Sequence, residues 1–303
     1  MKAKKIFYDL SVKSITALAA FLILLMVIVI MGNIILGGWS HITWEFLTTA
    51  PEAGMTKGGI FPAIFGTFLL VIIMSIFGIP IGTISAIYLT EYAKQESFTY
   101  KVIRFSVNTL AGIPAIVFGL FGLGFFVQFI GRGLDNVLYG GEMLRWGQPN
   151  ILWASLTMAL LTLPVVIVSV EEAIRAVPRE LREASFALGA TKWQTIRKVI
   201  IPNSITGILT GGILAVSRGA GEVAPILFTG AAYFLPYLPT SLSDQFMELG
   251  YHIYIMSTQS PDVEATRPIQ YATTLVLLIL TFALNFSAIF LRYRLRKTKA
   301  KFS

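Results

Sequence analysis

Residues 171–202 read EEAIRAVPRELREASFALGATKWQTIRKVIIP. This stretch holds ten of the forty charged residues of the chain, yet long apolar segments flank it on both sides. A polar, helical unit is therefore expected between two membrane spans. Pro178 suits the first turn of a helix, where its missing N–H costs nothing. From there Leu181, Ala184, Ser185 and Leu188 recur at i, i+3, i+4 and i+7, which gives an otherwise charged helix one face of mostly small residues. Gly189 is placed to end that helix in the left-handed conformation. Thr191 then opens a second short helix, and Gln194 three residues on completes a capping box. Trp193, Ile196 and Ile200 share one face of it, and Pro202 closes the unit. The stretch reads as helix, glycine turn, helix.

Composition supports the flanking spans. The 303-residue chain is 55% hydrophobic and only 13% charged, about half the charge of a soluble domain. Its mean hydropathy is +0.73. The expected class is therefore an all-α polytopic membrane protein. Cysteine is absent, which excludes a disulfide framework and thiolate metal sites. His41 and His252 fall far apart in expected polar loops, so no metal cluster is expected. The net charge of +8 comes from residues at membrane flanks, a pattern of topology signals and not of nucleic-acid binding.

Taken in order, residues 1–14 form a basic N-terminal tail and Ile15–Leu36 an uncharged run. Twenty-two residues reach roughly 33 Å, enough for the ~30 Å hydrocarbon core. The run is too long for a signal peptide, whose apolar part spans about 7–15 residues, so a retained first helix is expected. Gly37–Lys57 reads as a loop. Gly58–Thr90 reads as a tilted second helix entered near Pro62 and kinked at Pro80. Phe105–Gly131 is the third span. Gly112 and Pro114 weaken the helix there and are candidates for a break that lines a path, while simple helix packing accounts for Gly119, Gly122 and Gly124. Trp146–Val170 is the fourth span, kinked at Pro164. Ser204–Phe228 is the fifth, with Gly207-x-x-x-Gly211 as a small-residue packing motif. Tyr233–Pro268 reads as a long loop, Ile269–Leu291 as the sixth span, and 292–303 as a basic tail. Six spans make residues 15–291 one membrane domain.

Nineteen lysines and arginines lie in the two tails and in the loops around residues 94 and 185, against four in the other three loops. The positive-inside rule then puts both termini and the 171–203 loop in the cytoplasm, and the 233–268 loop outside. The chain has no Gly-Lys dipeptide and hence no Gly-x-x-x-x-Gly-Lys-Ser/Thr phosphate loop. No Ser/His/Asp or metal constellation suggests catalysis, and no cofactor of its own is expected.

The informative polar pair within a span is Arg218 and Glu222, in SRGAGEVAPILFTG. Arg218 lies fourteen residues past Ser204, roughly 21 Å along a helix, and the i,i+4 spacing places both side chains on one face. An ionisable group at that depth costs at least ~2.5–3.5 kcal/mol, so it should face protein or a wet cavity. A self-neutralising structural pair is the competing reading.

Glu183-Ala184-Ser185, then Gly189, then Val-Ile-Ile-Pro ending at Pro202, resembles the EAA loop of ATP-binding-cassette importer permeases. Ser185 stands where a second Ala is usual. The resemblance implies a type I importer permease fold in which Glu183, Ala184, Ser185, Gly189, Trp193 and Pro202 belong to a coupling helix seated on a cytoplasmic ATPase. The competing view is an amphipathic helix resting on the inner membrane surface, but that calls for large apolar residues ringed by Lys and Arg. Together, LAGIPAIVFGLFG, REASFALGATKWQTIRKVIIP and SRGAGEVAPILFT are similar to the A-type (PstA) permeases of bacterial phosphate-specific importers. That family implies a PstC-like sister permease, two ATPase copies carrying the ATP, an extracytoplasmic phosphate-binding protein and a prokaryotic inner membrane. It also implies a phosphate path at Arg218 and Glu222. Alternatives are a permease for molybdate or sulfate, or an ion-coupled secondary transporter. The last would more often show inverted repeats, and residues 15–130 and 150–291 show no convincing one.

Overall fold

The computed structural model describes residues 2–260 and 262–300; Lys301 of the basic tail lies outside the described residues. Twelve α-helices are described: α1 Lys2–Gly38, α2 Trp44–Thr48, α3 Phe61–Ile87, α4 Phe98–Gly112, α5 Ala115–Gly122, α6 Arg132–Tyr139, α7 Ile151–Arg175, α8 Arg179–Ala187, α9 Lys192–Thr195, α10 Ile201–Gly219, α11 Leu249–Thr258 and α12 Val263–Ala300. Wide i+5 turns extend α3 through Tyr92, join α5 to α6 and join α9 to α10. Among the described residues, six helical stretches are long and apolar enough to cross a membrane: Ser11–His41, Phe61–Tyr92, Ala115–Tyr139, Ile151–Arg175, Lys192–Gly219 and Val263–Arg294.

The most apolar-buried span, α7, is the axis of the bundle. Its Ile151, Ala154, Met158, Val166, Val170 and Ile174 are fully enclosed, and α3, α10, α5 and α4 pack around it. The Gly207-x-x-x-Gly211 motif serves this packing: a Cβ at Gly207 would collide with Ala173, and one at Gly211 would press on Ser169 at 3.2 Å. At the periphery α1 packs on α12 and leaves its apolar side chains exposed from Leu18 to Ile30, as a lipid-facing or partner-facing helix must.

Several boundaries differ from the sequence reading. The fourth span is Ile151–Arg175 and not Trp146–Val170, since the Asn150 side chain accepts from the Trp153 N–H and caps the helix there. The third span runs from Ala115 to Tyr139 and not from Phe105 to Gly131. Helix continues through Arg132 and Asp135 because the buried Asp135 carboxylate accepts from the backbone N–H groups of Arg145, Trp146 and Gly147. A paired, desolvated carboxylate of this kind can sit at a span end. The fifth span stops at Gly219, nine residues short of Phe228. Gly219, Gly221 and Pro225 weaken continuation, and the chain turns back against the bundle, where the Asn150 N–H donates to Thr229 O and the Phe246 N–H to Gly230 O.

Within the expected 233–268 loop lies α11, capped by the Glu248 carboxylate, which accepts from the N–H groups of Gly250 and Tyr251. His252 is consequently a buried helical residue and not a loop one. The sixth helix starts at Val263, six residues before Ile269, because the Asp262 side chain accepts from the Ala265 N–H and sets an earlier start. Pro268 then falls in its second turn. Pro62 and Pro80 sit at the entry and inside of α3, as expected.

Candidate functional site

Two regions carry the sequence-predicted residues. The first is the 171–202 stretch. Pro178 is the N-cap of α8, and Gly189 has φ +78°. The Gly189 N–H donates to Phe186 O at 2.9 Å and the Ala190 N–H to Ser185 O at 3.2 Å, the paired bonds of a Schellman turn. Thr191 and Gln194 form the capping box in both directions.

Beyond that, Pro202 does not close the unit. The i+5 turn over Ile196–Ile200 relieves the missing N–H of Pro202, and the helix runs on into α10 without a break. Trp193 is also displaced from the expected face: Ile196 and Ile200 are fully buried, whereas Trp193 is 56% exposed. Thr195 takes the inward position instead, its hydroxyl 2.9 Å from that of Ser185. Glu183 and Ala184 are exposed, and so are Leu181, Phe186 and Leu188.

Two cations hold this unit to the end of the second span. The Arg182 guanidinium donates to the Glu91 carboxylate and, at 2.6 Å, to Ile174 O. The Lys192 ammonium stands 5.0 Å over the Tyr92 ring. The α8–α9 elbow is thereby fixed on one side and bare on the other.

The second region lies deeper. Arg218 ends α10, where a cation complements the negative end of the helix dipole. Glu222 is not on that helix; it sits in the turn beyond, and its Oε1 is 3.7 Å from Arg218 Nε. The two therefore form an ion pair, but through a loop and with no hydrogen bond between them. Both remain accessible, at 39% and 30% of their side-chain surface.

Arg218 lines a cavity of about 370 Å³ with Asn108 and Ala111 of α4 and Pro164, Ser169 and Glu172 of α7. Valines and a leucine complete the wall. Gly112 is the last residue of α4 and Pro114 the N-cap of α5; they adjoin Ala111 but are not among the residues that line the cavity. The helix does break there: Ile113 is extended, at φ −76° and ψ 132°, and α5 starts after Pro114. Close by, the Arg104 guanidinium donates to Glu171 at 2.7 Å and ties α4 to α7.

Residues 78–301 match the family described as binding-protein-dependent transport system inner membrane component. The chain belongs to that family.

The permease is 34% identical over 284 residues to the probable ABC transporter permease protein YqgI of Bacillus subtilis, covering 89% of this chain and 90% of that one. It is 35% identical over 191 residues to phosphate transport system permease protein PstA 1 of Mycobacterium tuberculosis H37Rv, covering 63% and 55%. It is 36% identical over 202 residues to PstA of Yersinia pestis, covering 66% and 59%. The permease thus spans little more than half the length of those two PstA relatives. Among solved structures, the bacterial alginate ABC transporter in complex with its pentasaccharide-bound periplasmic protein aligns with a TM-score of 0.66 at 17% identity, over 94% of both chains. The MetNI methionine ABC transporter aligns at 0.52 and 18%, over 78% and 94%. These likenesses show the importer permease fold.

Sequence reading missed Asn108, Ser169, Glu172 and the Arg104–Glu171 pair. The i,i+3 spacing of Ser169 and Glu172 on a helix signals that those two share a face. Nothing local announces that α4 and α10 complete the wall.

Proposed function

We propose that this permease is the membrane-spanning subunit of an ATP-driven importer that carries inorganic phosphate across the cytoplasmic membrane of a prokaryote. The observation that carries the reading is Arg218, a cation on the wall of a cavity between spans, with donors free of strong hydrogen bonds and with Glu222 nearby. Phosphate at neutral pH bears one to two negative charges, and its passage through a low-dielectric span needs a fixed positive group. Glu222 offsets part of that charge, so the anion is drawn in and still released. Curated relatives named phosphate transport permeases support the choice of anion.

In this reading the bare side of the α8–α9 elbow, with Glu183, Ala184, Gly189 and Trp193, docks on a dimer of ATP-binding subunits that hold the ATP, while Ser185 braces the elbow from within through Thr195. The permease itself binds no cofactor. A PstC-like sister permease faces it across the path, and an extracytoplasmic phosphate-binding protein delivers the anion. Both termini and the elbow lie in the cytoplasm, in keeping with the charge asymmetry. The deciding experiment is Arg218→Gln in the assembled importer. Assembly and ATPase binding are expected to persist while phosphate uptake falls to background, whereas Arg218→Lys keeps a fraction, because a point charge survives but the planar fork does not. Uptake at the unmodified rate by an assembled Arg218→Gln importer would make the ion pair structural and overturn the reading.

A further inference from the structure

Hydroxyl groups in apolar helices ordinarily satisfy themselves on the carbonyl one turn back. This permease follows the habit closely: Ser75 donates to Val71 O, Ser85 to Ile81 O, Thr157 to Trp153 O and Thr210 to Thr206 O. Ser169 does not. Among the described residues its hydroxyl has no hydrogen-bond partner, and neither does the Asn108 amide or the Glu172 carboxylate. All three line the cavity that Arg218 lines. Asn108 and Glu172 are exposed and Ser169 is half-buried, so what sets the three apart is their place: polar side chains from two helices that line one cavity together with a guanidinium.

The donor and acceptor inventory says which ligand. Arg218 offers N–H donors, Asn108 offers Nδ2–H and Ser169 offers Oγ–H, while Glu172 can only accept when ionised. The charges matter as well. Arg218 already has Glu222 at 3.7 Å, so Glu172 leaves the cavity region with one net negative charge. A tetrahedral anion with four bare oxygens would turn one of them toward that carboxylate, with no proton to share. An anion that keeps a hydroxyl at neutral pH can donate it to Glu172 and present its bare oxygens to the other three groups. Hydrogenphosphate and dihydrogenphosphate do this; sulfate and molybdate, fully deprotonated at neutral pH, do not.

Building on the phosphate reading above, we propose that Asn108, Ser169, Glu172 and Arg218 form a subsite for a protonated tetrahedral oxyanion, in which Glu172 accepts the hydrogen bond of the P–OH group and excludes proton-free oxyanions. A site built around a substrate hydroxyl rejects analogues lacking it by far more than a merely apolar pocket can. Here the half-open wall moderates the effect, and a preference of about tenfold or more is expected.

The test uses the full importer in lipid nanodiscs without its binding protein, so that the permease alone selects. Equilibrium binding of radiolabelled inorganic phosphate and of radiolabelled sulfate is measured at neutral pH. The unmodified complex is expected to prefer phosphate. Glu172→Gln replaces an acceptor by a group that can also donate, so phosphate should weaken, sulfate should strengthen, and the ratio should fall about tenfold or more. Glu172→Asp keeps the carboxylate and should keep the preference. Arg218→Gln should lose both anions. If Glu172→Gln keeps the unmodified ratio while Arg218→Gln loses phosphate, the subsite is overturned and the phosphate path stands. If Arg218→Gln binds phosphate normally, or the unmodified complex binds none, both fall.

Discussion

Gly189 permits a test in which the order of two variants, and not only their size, carries the information. At φ +78° any side chain opposes the left-handed backbone, at a cost of about 1–2 kcal/mol, with Asn and Asp tolerated better than other residues. A Cβ built there meets no heavy atom within 4 Å, so the chain alone adds no steric term. In the isolated permease Gly189→Ala should therefore loosen the turn by about 1 kcal/mol, roughly fivefold in local population. Gly189→Asp should cost the same or slightly less.

If the elbow is seated on an ATPase, the order reverses. Asp then brings length and charge into a closed contact, and the added cost falls on coupling. Transport and ATP hydrolysis are to be measured on the same proteoliposomes of the complete importer, with elbow stability followed by limited proteolysis of the solubilised permease. The expected outcome is equal proteolysis for the two variants, modestly reduced uptake for Ala, and uptake lost in Asp together with its substrate-stimulated ATPase activity. Normal substrate-stimulated hydrolysis in Gly189→Asp, or Asp no worse than Ala in transport, would remove the coupling role from this turn.

Other outcomes follow from the same geometry. Arg182→Ala breaks charge-assisted bonds to Glu91 and Ile174 O, each worth about 1.5–3 kcal/mol, so the elbow should become protease-sensitive and uptake should fall although Arg218 is untouched; unaltered proteolysis would refute this. In intact cells an impermeant maleimide should label Lys57→Cys and leave Lys192→Cys silent, with no background because native cysteine is absent; the reverse pattern would overturn the orientation. The buried Glu248 is pushed up to about 7 by desolvation, and the buried His252 is pushed down to about 4 by the same cause. The raised carboxyl contributes stability that is fully present below its unfolded value and lost as pH rises toward 7, while the depressed imidazole contributes stability present above its unfolded value and lost as pH falls toward 4. Between these limits the two slopes oppose each other, so thermal stability should vary little with pH, whereas Glu248→Gln should expose the histidine slope of ~1.4 kcal/mol per pH unit, with stability falling on acidification; melting curves from pH 7 to 5 that stay flat in that variant would refute the compensation.

What could be read from the sequence alone divides along a physical line. The capping box at Thr191 and Gln194, the left-handed Gly189 and the break at Gly112-Ile113-Pro114 all depend on atoms within about one helical turn, and each is found where the sequence puts it. Span ends were harder, because they depend on partners further along the chain. Arg132 and Asp135 look like loop residues until the N–H groups of Arg145, Trp146 and Gly147 come back to meet the carboxylate.

The Arg218–Glu222 contact is instructive because the expected proximity is present although the expected geometry is not. The i,i+4 argument supposes one continuous helix, yet α10 ends at Gly219 and the pair forms across a turn. An ion pair held by a loop is longer and looser than one locked on a helix face. That looseness leaves the guanidinium N–H donors open for an anion. The cavity makes the same point at larger scale. Asn108, Ser169 and Arg218 sit on three different helices, 61 and 49 residues apart in sequence, and only the packing of α4 and α10 against α7 brings them to one wall. Periodicity identifies the faces of each helix, but the meeting of three faces is a property of the bundle. The hint at the level of single residues is that a serine and a glutamate three apart fall in an otherwise apolar span, on the side it leaves open. Glu172 is exposed and Ser169 half-buried, so both lie on the open side of that span, solvated and within reach of whatever enters the cavity.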